Sequence, residues 1–274
     1  MDDTKIALIT GCSSGIGKAL MQEFLHNHIK VYAGVRNVHS LQDSEHQVLT
    51  PIALDVTKED DIARCAEEIS RRHGKLDYLI NNAGFAAMGP LMELSTEQLE
   101  RQFHTNVYAP VRLTQALLPS LKAANNAKVI NIGSVSGILT TPFSGAYCAS
   151  KAALHSVSDA LRLELAPWNI RVITVQPGAI ESSFGDNSLA SLDGLIDDES
   201  EYAAFKPQIE ARATASQQNP TSTTAFARQL TAQLLSQPSD VIRLGSGSWI
   251  LPWMQRWLPT PIRDGILGKK FGLK

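Results

Sequence analysis

Short apolar runs recur along the chain at 6–10, 30–35, 50–54, 76–81, 128–132, 171–175 and 241–244, with longer stretches of mixed polarity between them. Several runs are almost continuously apolar, the pattern of strands covered on both faces in a parallel sheet. The intervening stretches carry helix signals. Thr57-Lys58-Glu59-Asp60 has the form of a capping box ahead of Ile62, Ala66 and Ile69, and Gly74 follows as a stop. Ser95-Thr96-Glu97-Gln98 opens another helix carrying Leu99 and Phe103, which Pro110 is expected to kink or divide. Strand and helix signals alternate without an internal repeat. This predicts an α/β fold, a doubly wound, mostly parallel seven-stranded sheet with helices on both faces, built by residues 1–274 as one domain.

The pattern changes after Gly178. Residues 181–224 are rich in Ser, Ala, Asp, Gln and Asn and carry no strand signal. Ligands of doubly wound folds bind beyond the carboxyl ends of the strands. A segment that follows the sixth strand run is therefore read as a helical cover for a substrate, with a solvated helical excursion as the competing reading.

Composition narrows the classes. A chain of 274 residues can bury a substantial core. Its formal charge of -2, with no basic stripe of interleaved aromatics in the core, gives no reason to expect a nucleic-acid partner. The three cysteines, Cys12, Cys65 and Cys148, lack metal-ligand spacing, so no metal site is read and reduced thiols of a cytoplasmic protein are expected. No signal peptide is read, because a strand-like run starts almost at once. No apolar stretch approaches the roughly 20 residues that span a bilayer.

Two groups of residues carry candidate chemistry. Thr10-Gly11-Cys12-Ser13-Ser14-Gly15-Ile16-Gly17 lies between the first strand run and the helix after it. Glycines let a backbone turn sharply and approach a phosphate, and a helix N-terminus offers amide donors and partial positive charge. Gly11, Ser13, Ser14, Gly15 and Ile16 are thus candidate contacts for a dinucleotide, although the spacing is Gly-x-x-x-Gly-x-Gly rather than Gly-x-Gly-x-x-Gly. The second strand run ends at Val35-Arg36, where NAD-selective sites commonly place a carboxylate for the ribose hydroxyls. An arginine there suits a 2′-phosphate, so NADP(H) is expected over NAD(H). The second group is Tyr147-x-x-x-Lys151 behind Ser134. Residues four apart share a helix face, and a lysine cation beside a phenol draws its pKa down from about 10. The pair reads as a device for moving a proton on or off a substrate oxygen.

Together, Thr-Gly-x-x-x-Gly-x-Gly at 10–17, Asn-Asn-Ala-Gly at 81–84, Asn106, Ser134, Tyr147-x-x-x-Lys151 and Pro177-Gly178 resemble the short-chain dehydrogenase/reductase family. The match runs from about Lys5 to 175–183, with a final strand near Val241. The stretches Thr-Gly-Cys-Ser-Ser-Gly-Ile-Gly, Val-Tyr-Ala-Gly-Val-Arg and Tyr-Cys-Ala-Ser-Lys are further similar to the branch with the 17β-hydroxysteroid and retinol dehydrogenases. The resemblance implies a Rossmann-type fold, nicotinamide-dependent interconversion of a carbonyl and an alcohol, a steroid-, retinoid- or lipid-like substrate, and a homodimer or homotetramer. It implies that Tyr147 is the acid/base, that Ser134 (with Ser136 as competitor) orients the substrate oxygen, and that Lys151 binds the nicotinamide ribose and depresses the tyrosine pKa. Asn106 would hold a water linking Lys151 to solvent. Asp55 and Val56 would contact adenine. Asn82, Ala83 and Gly84 would line the cofactor and brace the sheet, Pro177 and Gly178 would also bind it, Ile180 would present its backbone to the carboxamide, and Ser182 or Ser183 would be within reach. Cys148 is expected to pack as a small apolar residue. His155, expected to face solvent or a subunit contact, is assigned no chemistry. The alternative is an NADP(H)-sensing binding protein without turnover, against which the complete set Asn106, Ser134, Tyr147 and Lys151 weighs.

The tail from about 246 to 274 stands apart. Trp249, Trp253 and Trp257 recur every four residues, and from Val241 onward six basic residues face one acidic residue, Asp264. Cover for an apolar pocket or a subunit interface is favoured over contact with a membrane surface.

Overall fold

The computed structural model describes residues 4–41, 46–182 and 184–274. The strands are β1 (Ile6–Thr10), β2 (Lys30–Val35), β3 (Leu49–Ala53), β4 (Tyr78–Asn81), β5 (Lys128–Ile132), β6 (Arg171–Pro177) and β7 (Val241–Leu244). They form one seven-stranded sheet in the order β3-β2-β1-β4-β5-β6-β7. Each neighbouring pair is parallel, so the expected doubly wound sheet is present and carries no antiparallel strand. The strand order reverses between β1 and β4, which opens a crevice beyond their carboxyl ends.

The helices are α1 (Gly15–His26), α2 (Glu59–His73), α3 (Thr96–Phe103), α4 (Ala109–Ala123), α5 (Gly145–Glu164), α6 (Phe184–Ala190), α7 (Lys206–Ala213), α8 (Thr223–Leu235), α9 (Ile250–Trp257) and α10 (Thr260–Lys270). Side chains alternate across the sheet with period two. Ala7, Ile9, Ile130, Ile132, Ile173 and Val175 pack against Leu20 and Phe24 of α1 and Phe226 and Leu230 of α8. Ile6, Leu8, Leu79, Val129 and Val172 face the other way, onto Ile62 and Ile69 of α2 and Leu113, Leu117 and Leu121 of α4. Both faces are dry, which is why these strands read as unbroken apolar runs.

Local signals held at several ends and failed at others. Gly74 closes α2 in the left-handed region, at φ 65°, with its N–H on the Ser70 carbonyl. Ser95 and Gln98 form the reciprocal capping box expected of α3. The box expected at Thr57 does not form, because the Thr57 hydroxyl donates to Asp55 Oδ1 at 2.7 Å. Lys58 is the N-cap of α2 without a side-chain cap, and Glu59, Asp60 and Asp61 complement the helix dipole instead. β3 starts one residue earlier than expected. β4 starts later, since the Leu76 amide turns to the Ser120 carbonyl, and β6 runs on to Pro177. Pro110 does divide its helix, by way of a π-helical turn at His104–Tyr108. The Ala109 amide reaches back to the His104 carbonyl, and Pro110 has no N–H to offer Asn106.

Candidate active site

Beyond the carboxyl ends of the strands lies a cleft of about 1660 Å³. With one exception, every site residue singled out above lines it: Gly11, Ser13, Ser14, Gly15, Ile16, Arg36, Asp55, Val56, Asn82, Ala83, Gly84, Ser134, Tyr147, Lys151, Pro177, Gly178 and Ile180. Asn106 stands one layer behind.

The floor is the turn between β1 and α1. Gly11 and Gly15 have positive φ, and a Cβ on Gly17 would sit 2.2 Å from the Gly11 carbonyl oxygen. Only glycine lets the first turn of α1 come so near its own loop. The turn is tied across the switch point by Thr10. Its hydroxyl accepts from the amides of Asn82 at 3.0 Å and Ala83 at 2.9 Å, and donates to the Ile80 carbonyl at 3.3 Å. Asn82 Nδ2 returns a bond to the Thr10 carbonyl at 2.8 Å. Beneath, Asn81 Nδ2 donates to Asn131 Oδ1, and Asn131 Nδ2 to Ser158, which ties β4 to β5 and α5. At the end of β2, exposed Arg36 lies within electrostatic reach of Asp55. Burial opposes ionisation of Asp55, but the Thr57 hydroxyl and amide, Lys58 and Arg36 outweigh it, and its carboxyl sits below the usual range.

Helix α5 brings Tyr147 and Lys151 to the cleft, both buried, with the ammonium 5.9 Å from the phenol ring centroid. Ser134 caps a 3-10 turn, where its Oγ accepts from the Ser136 amide at 3.1 Å, and its hydroxyl lies near enough to the Tyr147 phenol to favour the ionised form. Lys151 Nζ donates to the Ile132 carbonyl at 2.7 Å. Among the described residues this is its one hydrogen bond, so the ammonium keeps donor capacity for an oxygen-rich group such as a ribose diol. Burial sets both acidities. It pushes the Tyr147 phenol up to about 12, with the Ser134 hydroxyl and Arg212 pulling the other way. It pushes the Lys151 ammonium down to about 8. The expected lowering of the phenol by Lys151 is not found in this structure: the groups that pull it down are Ser134 and Arg212, and removal from water costs the phenolate more than they return.

The Asn106 side chain is fully engaged. Its Oδ1 accepts from the Phe85 amide at 3.2 Å, and its Nδ2 donates to the Phe85 carbonyl and Ser150 Oγ. His155 does not face solvent as expected. Its ring fills the space left by Gly133 and Gly137, where a Cβ would approach it to 2.3 and 2.7 Å. Nε2 accepts from the Ser134 amide at 3.4 Å, and burial first, then Lys151, pushes the imidazole down to about 4. Cys148 is buried beside Ser144. Ser182 lines the cleft, whereas Ser183 lies outside the described residues.

Across the cleft, α6 and α7 from the 181–224 segment supply Phe184, Asn187, Gln208 and Arg212, and the tail supplies Leu251, Lys270 and Phe271. Phe184 packs on Tyr147, with ring centroids 5.5 Å apart. Arg212 escaped sequence reasoning. Its Nε donates to Thr141 Oγ1 at 2.7 Å and its Nη2 reaches Ser136 Oγ at 3.5 Å. No carboxylate among the described residues pairs with it, so a guanidinium stands unneutralised near the phenol. A lone arginine on a polar helical stretch gives no sequence signal of this placement.

A family model described as short chain dehydrogenase matches residues 5–192. The chain is 33% identical over 264 residues to the uncharacterized oxidoreductase YbbO of Escherichia coli (strain K12), covering 96% of this chain and 94% of that one. It is 37% identical over 187 residues to the NADPH-dependent 3-dehydrocapnine reductase of Ornithobacterium rhinotracheale, covering 65% of this chain and 66% of that one. A solved short-chain dehydrogenase from Streptomyces avermitilis superposes with a TM-score of 0.81 at 27% identity, covering 100% of this chain and 98% of that one.

Proposed function

Because the chain belongs to the short-chain dehydrogenase family of oxidoreductases, we propose that it is an NADP(H)-dependent enzyme that interconverts a carbonyl compound and an alcohol, with Tyr147 as the acid/base. The observation that carries this reading is the convergence of Tyr147, Ser134 and Lys151 on the same cleft as the glycine turn. The cradle fits a dinucleotide. Gly11, Ser13, Ser14, Gly15 and Ile16 would hold the pyrophosphate, Arg36 the 2′-phosphate, and Asp55 and Val56 the adenine. Asn82, Ala83 and Gly84 would line its nicotinamide half, with Pro177, Gly178 and Ile180 at the carboxamide. Lys151 would hold the ribose hydroxyls with the donors it does not use on Ile132.

A nicotinamide held there would supply a hydride to a carbonyl carbon, or accept one from an alcohol. Ser134 orients the substrate oxygen. Tyr147 Oη gives that oxygen its proton, the O–H bond of the phenol breaking as that of the alcohol forms. Burial keeps the phenol protonated at neutral pH, the form that reduction requires. Lys151 and Arg212 stabilise the phenolate left behind. With its side chain spent on Phe85 and Ser150, Asn106 would contribute to proton return through its carbonyl, to which Pro110 donates nothing.

The substrate wall is mixed. Met88, Phe184, Ala213, Leu251 and Phe271 offer apolar surface, and Arg212 offers a cation. We therefore take the substrate to be a lipid-like carbonyl compound with an oxygen-rich or anionic group near the reacting carbon, covered by the 181–224 segment. The test is NADPH oxidation against a panel of ketones and aldehydes. Tyr147→Phe should lose roughly 100–10,000-fold in turnover while NADPH affinity stays within error. Equal turnover in the variant ends the acid/base role. NADPH binding with no turnover of any carbonyl by the wild type would instead support the sensing protein.

A further inference from the structure

We propose that α9 and α10 form a docking surface for an anionic lipid bilayer. A helix on a globular protein normally has one apolar stripe and one polar face. Helix α9 has one broad apolar arc, of which only one edge is partly buried. Leu251 and Met254 pack inward, onto a cluster that includes Phe143, Ile209, Leu267 and Phe271. Ile250, Trp253 and Trp257, at i, i+3 and i+7, continue the same arc out into solvent, with Trp249 beside them. These four are 60%, 56%, 63% and 64% exposed. Ile262 and Ile266, one turn apart on α10, are 54% and 46% exposed. The tryptophans do not close the pocket, as their spacing alone had suggested. That work falls to Leu251 and Phe271, which line the cleft from the same two helices.

The charge around this apolar face identifies its occupant. Of the tail's cations, Arg256, Lys269 and Lys274 are exposed, Lys270 lines the cleft, and Arg263 is engaged with Gln255 and with the one acid, Asp264, at 3.7 Å. Arg256 stands over the Trp257 ring at 5.4 Å, and Arg243 over the Trp249 ring at 5.0 Å. Tryptophans among cations suit the headgroup region of a bilayer, where the ring body leaves water and the cations meet phosphate. A second copy of this chain is a poor occupant, since a two-fold contact through this face would set like charges against like. No helix of the described residues is long and apolar enough to cross a membrane, so the pair would lie on the surface. The cleft wall built by α9 and α10 would then stand beside the bilayer, where a lipid-like substrate resides. The docking itself does not depend on the catalytic reading.

The full chain should co-sediment with vesicles of phosphatidylcholine containing one third phosphatidylglycerol. It should bind pure phosphatidylcholine vesicles several-fold less, and binding should weaken in high salt. The combined variant Trp249→Ala, Trp253→Ala and Trp257→Ala should partition at least about tenfold less, with its unfolding midpoint and NADPH affinity unchanged. Arg256→Gln with Lys274→Gln should remove much of the preference for phosphatidylglycerol without touching any tryptophan. Wild-type protein that stays in the supernatant with anionic vesicles overturns the proposal. So does equal binding by the tryptophan variant, or a wild-type oligomer that dissociates on the same three substitutions, which would assign the face to a second copy.

Discussion

Replacing Thr10 by valine keeps the shape of a buried side chain and removes one oxygen. That oxygen accepts from the amides of Asn82 and Ala83 and donates to the Ile80 carbonyl, so it is the clamp between the glycine turn and the loop after β4. Valine leaves the Ala83 amide facing a methyl group, while the Asn82 amide keeps its second bond, to the Ile80 carbonyl at 3.1 Å. An unsatisfied buried donor costs about 1–3 kcal/mol. Ala83 is only partly buried, so water recovers some of this loss, and the lower part of the range, with the weakened second bond of Asn82, gives about 1–2 kcal/mol. For a protein of this size that is a fall in Tm of roughly 2–8 °C. Thr10→Ser is the control: it keeps the oxygen, loses one methyl group and should cost about 1 kcal/mol. Equilibrium urea unfolding of the three proteins, with equal m-values required, measures the difference. NADPH titration should also show the valine variant weakened more than the serine variant, because the clamp holds the cleft floor. Valine no more destabilising than serine would refute the reasoning, since the hydroxyl would then contribute only packing.

Other substitutions probe other parts of the cleft. Arg36→Ala should weaken NADPH binding about 10–100-fold and leave NADH nearly unchanged, if one charge-assisted bond of about 1.5–3 kcal/mol holds the 2′-phosphate; an unchanged ratio of dissociation constants removes that contact. Gly17→Ala would place a Cβ 2.2 Å from the Gly11 oxygen and 2.5 Å from Asn82 Nδ2, so it should cost about 3 kcal/mol in unfolding and weaken NADPH together with it; a variant as stable as wild type contradicts the close approach. Arg212→Gln should raise KM about 10–100-fold for oxo acids, but not for neutral ketones of equal length; equal effects on both mean that Arg212 only braces Thr141. For pH, Lys151 is lowered from 10.5 to about 8 in the folded protein. The unfolded chain therefore binds more protons between those values, and this group's contribution to stability rises with pH across that window. Tyr147 acts oppositely: raised from 10 to about 12, it takes stability away as pH climbs through that interval. Denaturation of wild type beside Lys151→Met should thus show the difference moving toward the wild type from about pH 8 to 10, and a pH-independent difference would show that the ammonium is not desolvated.

What could be read without coordinates was local. The parallel sheet was legible because both of its faces are dry, which makes runs such as 6–10 and 128–132 apolar throughout. Gly74 and the Ser95–Gln98 box were legible because helix ends are settled within a few residues. Tyr147 and Lys151 could be put on one helix face because four residues complete about one turn. Tertiary packing decided what depends on distant partners. Thr57 looked like a cap until Asp55 took its hydroxyl. Thr10 meets Asn82 across 72 residues of chain, and Arg212 reaches the catalytic wall from a helix whose sequence shows no motif. Burial, which no spacing encodes, lifted the Tyr147 phenol and turned His155 inward against two glycines. It also left the tryptophans of α9 outside, because only one side of a helix can face the core and Leu251 and Met254 already occupied it.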